Sequence, residues 1–414
     1  MSSNPADAAR AAATQQAGAE VTRRTEQLLQ LSRQIHENPE LAWEEHSAAR
    51  AVADTMREAG FAVELGAYGL STAVEAVYGE GDFTVAICAE YDALPGIGHA
   101  CGHNVIAAAG VGAALALAPL AEEAGLRIKL LGTPAEEHGG GKAAMLEAGA
   151  WEDVDISLMS HGTTLPVGST GDSLPCSQMR SMAVARFDIT FTGQAAHAAA
   201  APDKGINAGN AAILALNAIG LLRQQLPKNT NLNAFISHGG DVTNIIPGTS
   251  EVGLELRAFD IAILREMKAK VMACFEGAAI ATGCTWDYEL AEPPYAPVEQ
   301  EPVLGELWDA HLVSQGRVLS DAQPGSGSTD MGNVSLVVPS IHPMITFIGE
   351  DAAPHSPAFT DAAITPAADR ALLDAAQAMA ATVLDVALDP QMREDYQGRR
   401  RARPEGATRQ PFLV

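Results

Sequence analysis

From Ser71 to Gly162 the chain alternates strand-patterned runs with helical stretches at the spacing of βαβ units, and no other feature restricts the fold as strongly. STAVEAVYG, FTVAICAEY, RIKLLGTP and VDISLMSHG read as strands. The Ala/Gly-rich segment from Val105 to Leu120 and a short stretch through Met145 and Leu146 read as helices between them. The expected product is a mixed, largely parallel sheet with helices packed on it. The Val105 segment is apolar all round, but too short and too rich in small residues for a comfortable membrane span, so it reads as a helix inside a core. Upstream, a helix from Val21 carries Leu28, Leu31 and Ile35 on one face and stops at Pro39; a second covers Glu44 to Ala59 and ends at Gly60. Residues before about Glu20 show no apolar stripe and read as frayed.

The rhythm changes near Gln178. ARFDITFTG has strict strand alternation, AGNAAILALNAIGLL is an apolar helix, and NLNAFISHGG and SEVGLELRAFD are strands. A helix over Ile263 to Ala281 and the strand TWDYEL follow. Strand–helix–strand–strand–helix–strand is the order of a ferredoxin-like α+β unit. The alternating pattern then resumes through Trp308, the loop PGSGSTDMGNVS, the strand-like MITFIG and an alanine-rich helix from Pro366 to Leu388. The expected fold is therefore α/β with two domains. Residues 1–179 and 293–390 form one domain around a central mixed sheet, and 180–292 form an inserted ferredoxin-like domain. Residues 391–414, with Arg399, Arg400, Arg401 and Arg403, are expected to be a mobile tail.

Lys and Arg number 26 against 51 Asp and Glu, a formal net charge of −25, which argues against a nucleic-acid partner. Five scattered cysteines build no disulfide framework and suit a reducing compartment. The N-terminus lacks the apolar core of a signal peptide. A cytoplasmic protein without membrane partners is expected.

Chemistry-bearing side chains follow successive strands. The loop AEYDALPGIGHACGHN, after the first core strand, holds Glu90, Asp92, His99, Cys101 and His103; Glu136 and Glu137 follow the next strand, and His161 the third. His355 comes much later, in DAAPHSPAF. In an open α/β sheet the carboxyl ends of neighbouring strands face one crevice, so groups spread over about 250 residues can converge. Thiolate, imidazole and carboxylate are ligands for zinc, manganese or cobalt. Of two adjacent glutamates one can bind metal while the other stays free to move protons. His99 is a further possible ligand that spacing alone does not exclude. Other machinery is missing: no G-x-S-x-G elbow, no complete P-loop around GGGK, no dinucleotide glycine spacing, no H-E-x-x-H helix and no P-C-x-x-C deaminase signature.

HENPELAWEEH, AEYDALPGIGHACGHN, GTPAEEHGGGK, GQAAHA, NIIPG and HSPAFTD together resemble the M20 family of metallopeptidases and amidohydrolases. The likeness runs from about Arg24 to about Leu388. It is nearest the branch of aminobenzoyl-glutamate hydrolases, aminoacylase-like dipeptidases and auxin-conjugate hydrolases. The resemblance implies a catalytic domain holding two divalent metal ions (zinc, manganese or cobalt) and an inserted lid that also mediates homodimerisation. By motif, the metal ligands match Cys101, His103, Glu137, His161 and His355, the general base matches Glu136, and Asp92 supports the metal site. His197 matches a histidine lent across the dimer to the scissile carbonyl. Asn244 and Arg257 sit where some relatives bind substrate, although strand packing and a salt bridge within the lid explain them nearly as well. The implied reaction is hydrolysis of the amide bond of a small N-acyl or aryl-amide amino acid or a dipeptide. The alternatives are a hydrolase of an aryl amine or carbamoyl C–N bond, and a non-catalytic binding relative. Three positions depart from the commoner pattern: Asn104 in place of Asp, His138 in place of Gly, and Gly162 in place of Pro.

Overall fold

The computed structural model describes residues 5–165, 169–320, 327–410, 412 and 414, with backbone alone for 5–7. The start of the PGSGST loop, residues 324–326, lies outside the described residues. The chain divides into two compact units: Met1–Arg180, Val298–Ser326 and Asp330–Pro411 form the first, and Ser181–Pro297, Gly327–Thr329 and Phe412–Val414 the second.

The first unit begins with α1 (Pro5–Arg23), α2 (Thr25–Glu37), α3 (His46–Glu58), β1 (Ala62–Leu65), β2 (Val74–Tyr78) and β3 (Phe83–Glu90). It continues through α4 (His103–Leu117), β4 (Leu126–Thr133), α5 (Gly141–Glu147), β5 (Ile156–Leu158) and β6 (His161–Thr163). The second unit holds β7 (Ala183–Thr192), β8 (Ala196–His197), α6 (Ala208–Leu222), β9 (Thr230–His238), β10 (Ile245–Ile246), β11 (Thr249–Ala258), α7 (Ile261–Thr282) and β12 (Thr285–Leu290). The first unit resumes with α8 (Pro302–Ser314), α9 (Met331–Ser335), β13 (Ser340–Ile341), β14 (Met344–Thr346), α10 (Pro357–Ala362), α11 (Pro366–Ala387) and α12 (Pro390–Ala402).

Among the described residues the main sheet has the order β1-β2-β4-β3-β5-β13. β4, β3, β5 and β13 run parallel, while β2 is antiparallel to both β1 and β4. Every residue of β3 is buried, as a central parallel strand covered on both faces requires. α4 is buried along its whole length and packs on β3 and α11, so its apolar circumference is satisfied by protein. Because β4, β3 and β5 are parallel neighbours, the loops leaving their carboxyl ends emerge at one edge of the sheet.

Three local expectations are corrected. The N-terminal segment is not frayed: α1 places Ala13, Ala17 and Val21 in the core, packed towards α4 and α11. The run VDISLMSHG is not one strand but two, β5 pairing with β13 and β6 with β14. Pro343 separates β13 from β14, and proline cannot continue a ladder; its carbonyl instead accepts the His161 N–H at 2.9 Å. The C-terminal stretch is not a mobile tail but contains α12, whose Asp389 cap accepts from the amides of Gln391 and Met392. Its arginines bind backbone and carboxylates of the first unit: Arg393 donates to the carbonyls of Ala124 and Gly125, Arg400 to the carbonyl of Asp153 and to Asp155 Oδ1, and Arg399 to Glu301 Oε1.

In the second unit, β12-β7-β11-β9 form an antiparallel sheet on which α6 and α7 pack. Phe187, Ile189 and Phe191 alternate inward along β7 and are buried with Phe275 of α7. Asn207 caps α6 and Asp260 caps α7, each side chain accepting first-turn amides. β9 is an edge strand, and its Phe235 and Ile236 are 60% and 37% exposed.

Candidate metal centre

The loop after β3 turns directly into α4. Gly102 supplies that turn at φ 75°, a left-handed conformation that costs glycine little, and His103 is the first helical residue. His103 is fully buried. Its Nδ1 lies 2.8 Å from the Asp92 carbonyl oxygen and 3.0 Å from Asp92 Oδ1, both acceptors, so Nδ1 carries a proton and Nε2 is the nitrogen left to coordinate. Asp92 Oδ2 also accepts the Glu137 amide at 3.0 Å, tying the loop after β3 to the loop after β4. His161, at the start of β6, is aimed in the same way: Nδ1 donates to the Gly162 carbonyl at 2.7 Å, and Nε2 lies 3.4 Å from Cys101 Sγ. A carbonyl or carboxylate behind each imidazole is the usual support for a metal-bound histidine.

His355 reaches the same place from the C-terminal part of the chain. Its amide donates to the Ala100 carbonyl at 2.9 Å, and it adopts a φ of 59°, unfavourable for a residue with a Cβ. Its Nε2 lies 3.7 Å from Cys101 Sγ and 3.5 Å from Glu137 Oε2. The ligand atoms of Cys101, His103 and His161 fall within 4.8 Å of one another, as do those of Cys101, Glu137 and His355, and those of His103, Glu136 and Glu137. Cys101 is therefore common to two donor sets. The chemistry of the sets fits divalent ions, and so does their satisfaction: His103 Nε2 and Glu137 Oε1 are buried without a hydrogen-bond partner. His99 is turned elsewhere, its Nε2 3.1 Å from the Ile35 carbonyl oxygen and its ring stacked near His36, and it belongs to none of these sets.

Burial sets the direction at three groups, whereas at His103 it would lower the pKa but is outweighed by Asp92, which holds this imidazole well above its ordinary value. Burial pushes the Cys101 thiol well above its ordinary pKa, with Glu137 adding to the effect. It pushes Glu136 well above the carboxylate range, with Glu90 and Glu137 adding. Burial and His342 lower His161 to about 3, so this imidazole is neutral and ready to coordinate.

The departures from the commoner motif have local reasons. Asn104 faces away from the donors; its amide donates to Ser32 Oγ at 2.9 Å and to the Ala363 carbonyl at 3.0 Å, and an ionised aspartate could do neither. A Cβ at Gly162 would lie 2.6 Å from Phe347 Cζ, so only glycine fits beneath that ring. His138 is exposed.

His197 lies in β8 of the second unit, antiparallel to β10. Its Nδ1 accepts the amides of Ala199 and Ala200 at 3.2 and 3.1 Å, which leaves the proton on Nε2 of this exposed ring. Asn244 is exposed, and its carbonyl oxygen accepts the Ala198 amide at 3.0 Å. Arg257 is engaged within its own unit: its fork spans both oxygens of Glu255, at 2.7 and 2.9 Å.

Sequence reasoning missed a buried group beside these donors. Lys142, at the start of α5, has no exposed surface; Nζ is 2.7 Å from Asp330 Oδ1 and contacts Glu90 Oε1. The oxygens of Glu90, Glu136 and Asp330 lie within 4.8 Å of one another. The signal in the sequence was a lysine at the start of the short helix Gly141–Glu147, followed by the apolar run Ala143–Leu146 and just beyond the paired glutamates.

Over residues 86–383 the sequence matches peptidase family M20/M25/M40. The Xaa-Arg dipeptidase of Mus musculus is 40% identical over 393 residues, covering 89% of this chain and 88% of its own length. The N-acetyl-L-cysteine deacetylase of Bacillus subtilis (strain 168) is 28% identical over 358 residues, 81% of this chain and 83% of its own length. Among solved structures, a dinuclear metal-binding peptidase of the M20 family from Bacillus subtilis superposes with a TM-score of 0.66 at 23% identity, covering 88% of this chain and 99% of that one.

Proposed function

This chain belongs to the M20/M25/M40 family of peptidases, and from that premise we propose that it is a metal-dependent hydrolase of the amide bond in small dipeptides or N-acyl amino acids. The observation that carries the reading is the sharing of Cys101 between two donor sets, with Glu136 among the neighbouring carboxylates. Cys101, His103 and His161 would hold one divalent ion, and Cys101, Glu137 and His355 the other. The dinuclear relative supports that count, and zinc, manganese and cobalt all suit these ligands. Such ions, when bound, supply Lewis acidity to the substrate carbonyl and an acidified water.

Glu136 is the proton carrier. Its Oε2 lies 3.9 Å from His103 Nε2, and its raised affinity for protons suits a group that takes one from the attacking water and gives it to the leaving nitrogen. In a dimer, the His197 of a second copy, with its proton fixed on Nε2, would donate to the carbonyl oxygen as negative charge develops. Asn244 is a substrate contact in this reading, whereas Arg257 has a structural partner in Glu255 and ranks below it. Dipeptides with a C-terminal cationic residue stand first among substrates, because the relative that matches over nearly the whole chain is named for Xaa-Arg dipeptides.

We read the second unit as a ferredoxin-like lid whose exposed edge strand β9, bearing Phe235 and Ile236, pairs with a second copy to form a homodimer. The unpaired state of all five cysteines supports a cytoplasmic setting. The test is Glu136→Gln in metal-reconstituted protein, with amine release from dipeptides and N-acyl amino acids measured beside metal content. Metal content should persist while turnover falls about 1,000-fold. Near-normal turnover would refute the assignment.

A further inference from the structure

Glu136 has neighbours besides the metal donors. Glu90, Glu136 and Asp330 are all buried, and one oxygen from each falls within 4.8 Å of the others. Three carboxylates so placed are a hard oxygen-donor set of the kind that takes a divalent cation. A cation is already there. Lys142 Nζ bonds Asp330 Oδ1 at 2.7 Å and Glu90 Oε1, and the Lys142 amide holds Asp330 Oδ2 at 2.7 Å. Burying an ammonium together with its carboxylates is expensive, and well-packed apolar side chains in place of the whole group generally serve stability at least as well. The retained charge therefore needs a reason other than packing.

We propose that Lys142 is a positioning residue, a built-in cation that occupies the Glu90–Glu136–Asp330 cluster, neutralises Glu90 and Asp330, and so keeps Glu136 out of metal coordination and available to the reacting water. The inference rests on the reading of Glu136 as proton carrier. The charge balance is simple. Glu90, Asp330 and Lys142 together carry one net negative charge; without the ammonium they carry two, at a place where Glu136 can complete a cation site. Burial works against the ammonium, but Asp330 and Glu90 more than compensate, so it stays charged.

The experiment uses the full chain, stripped with chelator and titrated with Mn²⁺, with bound ions counted by native mass spectrometry and kinetics measured on an Xaa-Arg dipeptide. Lys142→Met should bind one ion per chain more than wild type and lose about 100-fold in kcat with KM little changed. Lys142→Met/Asp330→Asn restores the net charge, and the amide oxygen of its new side chain can still accept the backbone amide at position 142. It should return to the wild-type ion count and recover turnover to within about tenfold of wild type. A merely structural lysine predicts no extra ion and no recovery. The proposal is overturned if Lys142→Met keeps the wild-type ion count and turnover, or if the double variant is no better than the single one. Should Lys142→Met fail to fold, the double variant decides alone: the wild-type ion count with recovered turnover supports the proposal, and an extra ion or a 100-fold loss overturns it. If the wild type cleaves no amide, the functional reading falls, while the ion counts still test the site.

Discussion

Replacing Asn104 with Asp restores the residue commoner in the motif this chain resembles, and it should damage this chain. The Asn104 side chain is wholly buried and acts as a donor to Ser32 Oγ and to the Ala363 carbonyl, at 2.9 and 3.0 Å. An ionised carboxylate there would face the lone pairs of a carbonyl with no donor of its own. It would hold a proton instead, donate once, and lose the second hydrogen bond. With an unfolded-state pKa of about 3.9, keeping the carboxyl neutral at pH 7 costs 1.36 × (7 − 3.9), or about 4 kcal/mol, and the lost hydrogen bond adds about 1 kcal/mol. The sign follows from a folded-state pKa raised above the unfolded one. The variant is closest to wild type below about pH 4 and falls behind by about 1.4 kcal/mol per pH unit above it, until the folded-state pKa is reached. Urea unfolding of chelator-treated protein between pH 4.5 and 8 would show this through tryptophan fluorescence, since Trp43, Trp151 and Trp308 all lie in the first unit. Equal midpoints at pH 8, or a deficit that does not shrink towards pH 4.5, would refute the argument.

Asp309 offers a second test of pH dependence. Burial pushes its carboxyl up to about 6, the Cys176 amide draws it back, and Glu306 adds to the rise. A raised folded-state value means that its contribution to stability is complete below the ordinary value of 3.8 and is lost as pH rises through about 6. Asp309→Asn should match wild type near pH 4 and exceed it at pH 8 by about 1 kcal/mol, after discounting for the half-exposed site; thermal melts at the two pH values decide. For the edge strand, Phe235→Glu should convert the expected dimer to monomer in light scattering, and a variant that stays dimeric would remove β9 from the interface.

The donor set was legible in sequence because metal ligands must be ligating residue types, and parallel strands deliver them from predictable places. Cys101, Glu137 and His161 each follow a strand of the β4-β3-β5 block. What escaped was structure without contrast in its residues. α1 packs through Ala13 and Ala17, and alanine marks no apolar face on a scale that separates leucine from lysine. The arginines of α12 looked solvated because their partners are either backbone carbonyls, the same at every position of a sequence, or carboxylates far away in the chain, such as Glu301 for Arg399 and Asp155 for Arg400. Arg257 could be a substrate contact or a lid ion pair from sequence; its fork on Glu255 shows the pair. Lys142 escaped because a buried lysine is legible only through its partners, and Asp330 stands 188 positions away.

The position of His355 sets a clock on the centre. It lies 254 residues after Cys101, with nearly all of the second unit translated between them. At synthesis rates of roughly 5–20 residues per second, roughly 13–50 seconds separate the emergence of the two ligands. During that interval Cys101, His103, Glu137 and His161 exist without their last companion, and α4 lacks the α11 helix that covers it. The inserted unit, continuous over Ser181–Pro297, can complete most of its sheet and both helices in that time. The nascent chain thus exposes a half-built, thiol-bearing chelator before it can close one. If these donors take metal as proposed, an ion supplied during translation would meet four of the five, and loading order would be a variable of expression rather than of the finished protein.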